Sequence, residues 1–381
     1  MKNRVEEIRT FIEYKDFDLA RRRLLDACLD TRKESLIQQS INFSKQVGNK
    51  AEQNLANFSD KFQDGAEQIL QQFSSLSSSV IHTNEQVISA NKISKSYTVG
   101  GFNLQALSLK AYTNKIIGVV GENGHGKTTL LRCLAGQLQI NEGSIDYYFD
   151  PKPDYFSIKQ KVAFIPQRIP KWYGKLKDNL HFSASITGNY SKENNLMVDF
   201  MLERLSLTSY ANLTWSQISS GYRTRFEIAR VLLQKPTLLI LDEPLANLDI
   251  NAQQTMLIDF KYLAKSIYYP LSIILSSQQL HEVEKVADEI LFIKNGNCIF
   301  QTTCSNNVTH KEVVIEIETN ANRDTILQIL ENNVQVSYNG GYYTITSNQL
   351  TANVIMEKLL AQQIAITYFR DITNSTKRLF S

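Results

Sequence analysis

The sequence feature that most constrains the fold is the stretch from Lys115 to Leu131. It begins with an apolar run, Ile-Ile-Gly-Val-Val, whose length suits a buried strand. Residues 121–129 follow as Gly-Glu-Asn-Gly-His-Gly-Lys-Thr-Thr, which matches the phosphate-binding pattern G-x-x-x-x-G-K-[S/T] at every fixed position. A helical pattern over 129–138 comes next. Because strand, glycine-rich loop and helix occur in this order, the stretch predicts a phosphate-binding loop at the edge of an α/β sheet.

The residue types in this loop suit the binding of phosphate groups. Glycines let the backbone turn its N–H groups toward one point, and the helix that follows adds the positive end of its dipole. Lys127 can reach the β- and γ-phosphates, and the Thr128 hydroxyl can bind Mg²⁺. A chance glycine turn is disfavoured, since strand and helix flank the loop on the correct sides. The predicted nucleotide-contacting residues here are Gly121, Glu122, Asn123, Gly124, His125, Gly126, Lys127, Thr128 and Thr129.

Composition is that of an ordinary globular chain. The 381 residues are 43% hydrophobic and 21% charged, and the net charge of +3 gives no reason to expect nucleic acid as a partner. The four cysteines form no C-x-x-C pair, so we expect reduced, buried thiols rather than a disulfide framework or a metal site. Neither a signal peptide nor an apolar run of about 18–20 residues is recognised, so we expect any membrane role to depend on a partner.

Residues 1–84 are predicted to form a helical N-terminal extension. The pattern is apolar in steps of three and four over about four heptads, from Val47 to Leu76, with almost no glycine or proline. Two interpretations stay open at this point. The stripe packs on the chain's own helices, or it is a surface for a partner or a second copy. The serine-rich stretch over 74–79 is the predicted linker to the next unit.

Residues 310–381 are predicted to form a separate α+β domain. Alternating strands, two helical patterns and a hairpin turn at Asn339-Gly340-Gly341 give the order βαββαβ, which is typical of a small ferredoxin-like fold. No ligand motif occurs in it. We therefore interpret this domain as regulatory or as stabilising a dimer.

The central unit, residues 85–309, carries further motifs besides the phosphate loop. An apolar strand over 237–241 ends in Asp242-Glu243, where a nearby cation is needed to balance two carboxylates. A second apolar strand, over 271–275, is followed by Ser-Ser-Gln278. Between the loop and these strands lies a mostly helical insert, which contains Ile218-Ser-Ser-Gly-Tyr222 ahead of a helical pattern over 224–234.

Residues 86–300 resemble the nucleotide-binding domain of ABC transporters. The resemblance rests on the phosphate loop, a Ser-x-Gly signature in a helical insert and the Asp-Glu pair, in the family's order. It implies an α/β fold of the P-loop NTPase ABC type, with a mixed sheet core, an antiparallel β layer and a helical insert. An all-α N-terminal region and the small ferredoxin-like domain would flank this core.

The resemblance also implies roles for individual residues. Tyr97 matches the aromatic that stacks on adenine. Gln167 matches the glutamine that contacts Mg²⁺ and the attacking water, and Asp242 matches the aspartate that holds Mg²⁺ through water. Glu243 matches the general base that polarises the water. Ser219 and Gly221 match the signature positions, which would bind the γ-phosphate held by an opposite subunit. Asn247, Leu248 and Asp249 match the loop that would couple the two nucleotide sites across a dimer.

Two departures from the family pattern bear on activity. The signature has Ile218, Ser220 and Tyr222 in place of the usual leucine, glycine and glutamine, although Ser219 and Gly221 are kept. Gln278 stands where the family places a histidine that contacts the γ-phosphate. Because glutamine can donate a hydrogen bond but carries no positive charge, we expect binding to be retained and hydrolysis to be slowed.

The resemblance implies an ATPase that uses ATP and Mg²⁺ and powers transport across a membrane. Its partners would be a separate transmembrane permease subunit and a second copy or related ATPase subunit, on the cytoplasmic face of the membrane. The C-terminal domain resembles those of exporter subunits more than importer ones. Two alternatives stay open: a non-transport ABC protein acting on ribosomes or DNA, which generally has two cassettes, and a slowly hydrolysing nucleotide switch acting on a soluble partner.

Overall fold

A computed structural model describes residues 2–48, 55–75, 84–98, 100–150, 153–246, 248–303, 312–331 and 334–373. The helices are α1 Lys2–Glu13, α2 Phe17–Asp30, α3 Glu34–Gly48, α4 Leu55–Gln71, α5 Lys127–Leu134, α6 Tyr155–Lys161, α7 Leu176–Ile186, α8 Ser191–Arg204, α9 Ser220–Leu232, α10 Ile250–Ala264, α11 Leu280–Glu284, α12 Arg323–Ile329 and α13 Ala352–Ala361. The strands are β1 Gln86–Ser96, β2 Asn103–Tyr112, β3 Ile116–Val120, β4 Glu142–Tyr147, β5 Val162–Ile165, β6 Leu238–Leu241, β7 Ser272–Ser277, β8 Glu289–Lys294, β9 Asn297–Thr303, β10 Val313–Thr319, β11 Gln335–Asn339, β12 Tyr342–Ser347 and β13 Ile366–Asp371.

The central sheet has the strand order β5-β6-β7-β3-β8-β9. Its first five strands run parallel, and β9 returns antiparallel to β8. Every residue of β3 is buried, as expected for a strand covered on both faces. The register pairs Val120 with Ser277 and Leu241 with Leu275, so β3, β6 and β7 end at the same edge of the sheet. The loops that follow these strands therefore meet there.

An antiparallel layer of three strands, in the order β2-β1-β4, packs over one face of the central sheet. The helix α5 shares its core, and Leu130 and Leu131 of this helix are fully buried. The core also contains Ile88 of β1 and Val119 of β3. This arrangement confirms the predicted mixed sheet with an antiparallel β layer.

The helix after the phosphate loop, α5, and the helix that carries the signature, α9, both start earlier than the sequence pattern predicts. The helix α5 spans 127–134 rather than 129–138, because Gly126 caps it with a positive φ of 106° that favours glycine. The helix α9 starts at Ser220 rather than at 224, with Ser219 extended at the N-cap position. Lys127 and Thr128 therefore lie in the first turn of α5, and Ser220 and Gly221 lie in the first turn of α9.

The packing of the N-terminal helices shows which surface the apolar stripe contacts. Among the described residues of the stripe, Phe62, Ala66, Ile69 and Phe73 are buried in one cluster with residues of α1, α2 and α3. The stripe therefore packs on the chain's own helices. Its members Ala51 and Leu76, and most of the predicted serine-rich linker, lie outside the described residues.

The helices α2 and α3 also pack on the helical insert. Leu25, Leu29, Ile37 and Ile41 belong to the same apolar cluster as residues of α7, α8 and α9. Buried charges cross this junction as well. Asp259 of α10 accepts from both Arg22 of α2, at 2.9 Å, and Arg204 of α8, at 2.7 Å. The Asp259 carboxylate thus connects three elements: α2 of the N-terminal helices, α8 of the helical insert and its own helix, α10.

The C-terminal strands form a sheet of their own, in the order β11-β12-β10-β13, with all pairs antiparallel. The helices α12 and α13 cover one face of it, and Ile315, Ile326, Ile345 and Ile355 are fully buried between them. This βαββαβ arrangement is the ferredoxin-like fold that the sequence predicts. Arg370 of β13 lies 3.8 Å from Glu284 of α11, so an ion pair joins this domain to the central one.

Three of the four cysteines lie within the described residues, and all three are free thiols. Cys28 and Cys133 are buried and Cys298 is half-buried, whereas Cys304 lies outside the described residues. In the part of the chain that the structure describes, no helix combines the length and the apolar character needed to cross a membrane.

Candidate nucleotide-binding site

The glycines of the phosphate loop are placed where side chains would collide. A Cβ on Gly121 would lie 2.3 Å from the carbonyl oxygen of Ile293 on β8, so the loop passes close to backbone there. A Cβ on Gly126 would lie 2.6 Å from the Phe102 ring. The loop is also tied to the β8–β9 turn, because the Gly296 N–H donates to the His125 carbonyl at 3.1 Å. These contacts hold the loop against the sheet edge while Asn123 and Gly124 stay exposed.

Lys127 is the first residue of α5, and it is 4% exposed. Its ammonium group donates to the carbonyls of Gly121, at 2.7 Å, and Glu122, at 3.1 Å. It also lies 3.1 Å from Oε1 of Glu243. A lysine ammonium has three donors, so loop and carboxylate together satisfy it.

Thr128 and Asp242 form a pair of oxygen ligands beside the loop. The Thr128 hydroxyl donates to Oδ2 of Asp242 at 2.8 Å, although 114 positions separate the two in sequence. Asp242 is 5% exposed and follows directly after β6. Its other oxygen, Oδ1, accepts from the Ser276 hydroxyl at 2.9 Å. Hydroxyl and carboxylate oxygens are the ligands that Mg²⁺ prefers, so this donor set fits that ion.

Glu243 stands at the centre of the site. Its backbone φ is +48°, a left-handed conformation that residues other than glycine seldom adopt. One carboxylate oxygen faces Lys127, and the other, Oε2, accepts from the side-chain amides of Gln278, at 2.7 Å, and Gln167, at 3.1 Å. Three residues from three separate segments of the chain thus meet at the Glu243 carboxylate. The structure brings all of them to the carboxyl edge of the sheet.

Tyr97 lies after β1, on the antiparallel layer. Its hydroxyl is 3.5 Å from the Thr129 hydroxyl, so the ring stands beside the start of α5. The Phe102 ring is 6.4 Å away on one side, and the Lys95 ammonium is 5.9 Å from the ring centroid. Tyr97 is 37% exposed.

The signature residues lie at the start of α9. Ser219 and Ser220 are exposed, and Gly221 is half-buried. A Cβ on Gly221 would lie 2.9 Å from Leu248, so the signature glycine packs directly on the loop after β6. Asp249 caps α10 by accepting from the Ala252 N–H at 2.9 Å. Asn247 lies outside the described residues.

Tyr222, where the resemblance leads one to expect glutamine, pairs with another tyrosine. The Tyr210 hydroxyl donates to the Tyr222 hydroxyl at 2.9 Å, and the two ring centroids are 3.9 Å apart. Partial burial and this hydrogen bond raise the pKa of Tyr222 above its ordinary value. The substitution is therefore accommodated by packing within the helical insert.

Comparison with known proteins agrees with this geometry. The ABC transporter family profile matches residues 104–246, which include the phosphate loop, the signature and the Asp-Glu pair. The SkfA peptide export ATP-binding protein SkfE of Bacillus subtilis is 30% identical over 55% of this chain and 87% of its own length. The chain belongs to the ATP-binding subunits of ABC transporters.

Two further comparisons place this ABC ATPase in its family. The phosphonates import ATP-binding protein PhnC of Treponema denticola is 26% identical over 61% of this chain and 96% of its own length. The structure of CbiO1 from Clostridium perfringens, described as part of the ABC transporter complex CbiONQ, superposes with a TM-score of 0.52. That superposition covers 57% of this chain and 89% of CbiO1 at 23% identity, so it shows a shared fold.

ATP binding and ATP hydrolysis are the activity of this family, and the predicted ATPase fold is confirmed. One residue of the site was not predicted from the sequence of this ABC ATPase. Ser276 contacts both Asp242 and Glu243, yet a serine in a strand belongs to no motif. The signal was present in the two adjacent serines at the end of an apolar strand, since a buried hydroxyl needs a partner.

Proposed function

We propose that this chain hydrolyses ATP with Glu243 as general base and thereby powers a transporter whose membrane subunit is a separate chain. The observation that carries the proposal is the set of contacts at Glu243. Lys127, Gln167 and Gln278 all reach its carboxylate within 3.1 Å. A carboxylate held by three side chains next to a phosphate loop is placed to act on a water at the γ-phosphate.

Mg²⁺ is the metal that the donor set would hold. Thr128 and Asp242 supply hard oxygen ligands 2.8 Å apart, and the Gln167 amide oxygen is a third candidate. When bound, the ion would neutralise charge on the phosphates. The residues of the chain provide the rest: the loop N–H groups and Lys127 orient the phosphates, and Tyr97 stacks on the adenine ring.

The proposed proton transfer ends on the Glu243 carboxylate. Lys127 now lies against Oε1 of Glu243, so phosphate oxygens would compete with this carboxylate for the ammonium group. The two glutamine amides keep Oε2 in place and donate to it, while they leave the carboxylate able to accept a proton from water. Removing the general base while keeping the shape, as Glu243→Gln does, should lower kcat by about 10²–10⁴.

A second copy would complete the site. Ser219 and Gly221 of one copy would bind the γ-phosphate held on the other through the N-terminus of α9. Ser219 is exposed and Gly221 is half-buried at the start of α9, which supports this arrangement. With ATP and Mg²⁺, Glu243→Gln should be a dimer in light scattering, and adding Ser219→Arg should return it to a monomer. A monomer in both cases would contradict this arrangement.

The helical insert offers a surface for a membrane subunit. Tyr173 is 82% exposed, Phe182 is 70% exposed and Tyr190 is 68% exposed, and all three follow Gln167 in the chain. Aromatic side chains at this exposure are typical of protein interfaces. Gln167 lies where the helical insert begins and contacts Glu243, so we infer that it reports the state of the site to such a partner. We place the chain on the cytoplasmic face of the membrane in this assembly.

For direction we propose export, on the basis of the ferredoxin-like C-terminal domain; the named relatives include both an importer and an exporter subunit. We further propose the division 1–84, 85–309 and 310–381, with helices of the first segment packed on the second. A slowly hydrolysing switch is the second candidate function, which Gln278 favours because it brings no positive charge to the site.

Affinity purification of Glu243→Gln from detergent-solubilised membranes, with ATP and Mg²⁺, tests the proposal. Glu243→Gln carrying Tyr173→Glu and Phe182→Glu is the matched control for the membrane contact. Recovery of a polytopic membrane protein with the single variant but not with the triple variant supports the proposal. Recovery of ribosomes, nucleic acid or a soluble chain alone would refute the transport assignment.

A further inference from the structure

Ser276 links the two carboxylate residues of the site to the neighbouring strand. It lies near the end of β7 and is fully buried. Its hydroxyl donates to Oδ1 of Asp242 at 2.9 Å and accepts from the backbone N–H of Glu243, also at 2.9 Å. A serine hydroxyl has one proton to donate, so its donor is fully used here. Two residues later, the same chain segment supplies Gln278 to the Glu243 carboxylate.

Each of these bonds holds a group whose orientation matters. The Asp242 carboxylate is fixed at both oxygens, because Thr128 donates to Oδ2 and Ser276 donates to Oδ1. Glu243 has a left-handed backbone, which is unfavourable for a residue with a Cβ and persists only where neighbouring contacts hold it. The bond from its N–H to Ser276 is such a contact. The serine therefore acts on the metal-facing carboxylate and on the backbone of the base together.

We propose that Ser276 is a positioning residue for ATP hydrolysis, which sets the orientation of the Asp242 carboxylate toward Mg²⁺ and the backbone of Glu243 toward the attacking water. This proposal rests on the roles assigned above to Asp242 and Glu243. Ser276 contacts Asp242 and Glu243, and it acts through these two residues.

A purely structural role for the hydroxyl is the competing explanation, and the same strand supplies its control. Ser272 lies four residues earlier on β7 and is also fully buried, but its hydroxyl has no hydrogen-bond partner among the described residues. Ser272 thus shares the burial and the strand of Ser276 but not its contacts with Asp242 and Glu243. Ser272→Ala and Ser276→Ala delete the same atom from the same buried strand, and only the second reaches the site.

The experiment compares the purified full chain with Ser276→Ala, Ser276→Thr, Ser272→Ala and Glu243→Gln. Steady-state ATPase assays give kcat, KM and the Mg²⁺ concentration at half-maximal rate. Equilibrium titration gives the Kd for ATP with Mg²⁺ and with EDTA. The second measurement does not depend on turnover, so it tests the proposal even in a chain that hydrolyses slowly.

For Ser276→Ala we expect kcat to fall roughly 10- to 100-fold, the loss that a hydrogen bond to a charged group typically carries. The Mg²⁺ requirement should rise several-fold, and Mg²⁺ should strengthen ATP binding less than in the parent chain. ATP affinity in EDTA should not change, because the phosphate loop is intact. Ser276→Thr, which keeps the hydroxyl, should restore most of these properties, and Ser272→Ala should match the parent.

Equal losses in Ser272→Ala and Ser276→Ala would overturn the proposal, as would parental kcat and Mg²⁺ dependence in Ser276→Ala. If Ser276→Thr does not fold, the comparison of the two alanine variants still decides. Failure of the proposed function has a different signature: Glu243→Gln would then turn over ATP at the parental rate. An inactive Glu243→Gln beside a fully active Ser276→Ala would refute only the role of Ser276.

Discussion

The carboxylate of Asp259 should contribute more to stability than any exposed ion pair in the same junction. It is 4% exposed and accepts from two arginines that are themselves buried, Arg22 at 5% exposure and Arg204 at 1%. Asp259→Ala would leave two guanidinium groups facing each other without the charge between them. Removing one partner of a buried ion pair typically costs about 3–5 kcal/mol.

The remaining partners of the two arginines place the expected loss near the lower end of that range. Arg204 also pairs with both oxygens of Asp26, at 3.0 and 3.1 Å, and Arg22 pairs with Asp18 at 2.8 Å. Both arginines therefore keep one carboxylate after the substitution. We expect Asp259→Ala to lower the free energy of unfolding by about 3 kcal/mol, against about 5–15 kcal/mol for a typical domain.

Asp199→Ala is the matched control in the same junction. Asp199 lies on α8 and binds Lys45 of α3 at 2.7 Å, but its side chain is 29% exposed. Exposed pairs of this kind contribute about 0–1 kcal/mol. Both variants remove an aspartate that connects the N-terminal helices to the rest of the chain, so burial is the main difference between them.

Urea unfolding followed by tryptophan fluorescence measures both variants. The two tryptophans of the chain, Trp172 and Trp215, stack in the helical insert with ring centroids 5.0 Å apart, so their emission reports the packing of the insert. Asp259→Ala should shift the midpoint strongly and Asp199→Ala only slightly. Equal shifts would refute the reasoning that burial makes the junction dependent on Asp259.

Three further predictions concern the site and the core. Gln278→His should raise ATP turnover by about tenfold at pH 6.5 through a charge-assisted bond, and unchanged turnover would contradict the idea that glutamine slows hydrolysis. Tyr97→Ala should weaken ATP binding by about 1–3 kcal/mol in a titration with a fluorescent ATP analogue, while Tyr97→Phe should bind normally; a loss shared by both variants would argue against stacking. Burial raises the pKa of the Cys28 thiol to about 12. Because the unfolded thiol ionises near pH 8.5, the stability that Cys28 contributes is complete below that pH and is lost as pH rises toward the folded value. At pH 10 the loss should be about 1–2 kcal/mol, and Cys28→Ala should flatten this alkaline slope in urea unfolding.

The nucleotide site could be predicted because its residues lie in short segments with fixed spacing. The phosphate loop, the Asp242-Glu243 pair and Gln278 each follow an apolar strand, and parallel strands bring their carboxyl ends to one edge. Helix starts were less predictable. The apolar periodicity predicts that α5 starts at Thr129, two residues later than its start at Lys127. The sequence alone does not show that Gly126 adopts a positive φ and caps the helix.

The junction of the N-terminal helices could not be predicted, because its contacts join residues far apart in the chain. Arg22 and Asp259 are 237 positions apart, and no local pattern links them. Sequence favoured neither of the two interpretations of the apolar stripe for the same reason. The helix α6 was missed because it is short and has no buried residue, so apolar periodicity gives no signal.

Burial of the arginine run 21–23 changes how the N-terminal segment is understood. A run of arginines on a helix is ordinarily solvated, yet all three are at most 8% exposed here. Burying cations requires partners on whatever element covers them. Arg21 donates a hydrogen bond to the Glu203 carbonyl at 2.8 Å, and Arg22 donates one to the Asp259 carboxylate. Arg23 stacks on Tyr262, with 3.3 Å from its guanidinium carbon to the ring centroid. Asp18 and Asp26 of α2 and Ser44 of α3 also pair with these arginines, so the ATPase domain supplies part, and not all, of the partners of these buried charges. The N-terminal helices therefore belong to the folded core of this ABC ATPase, and any partner that binds them must use their outer surface.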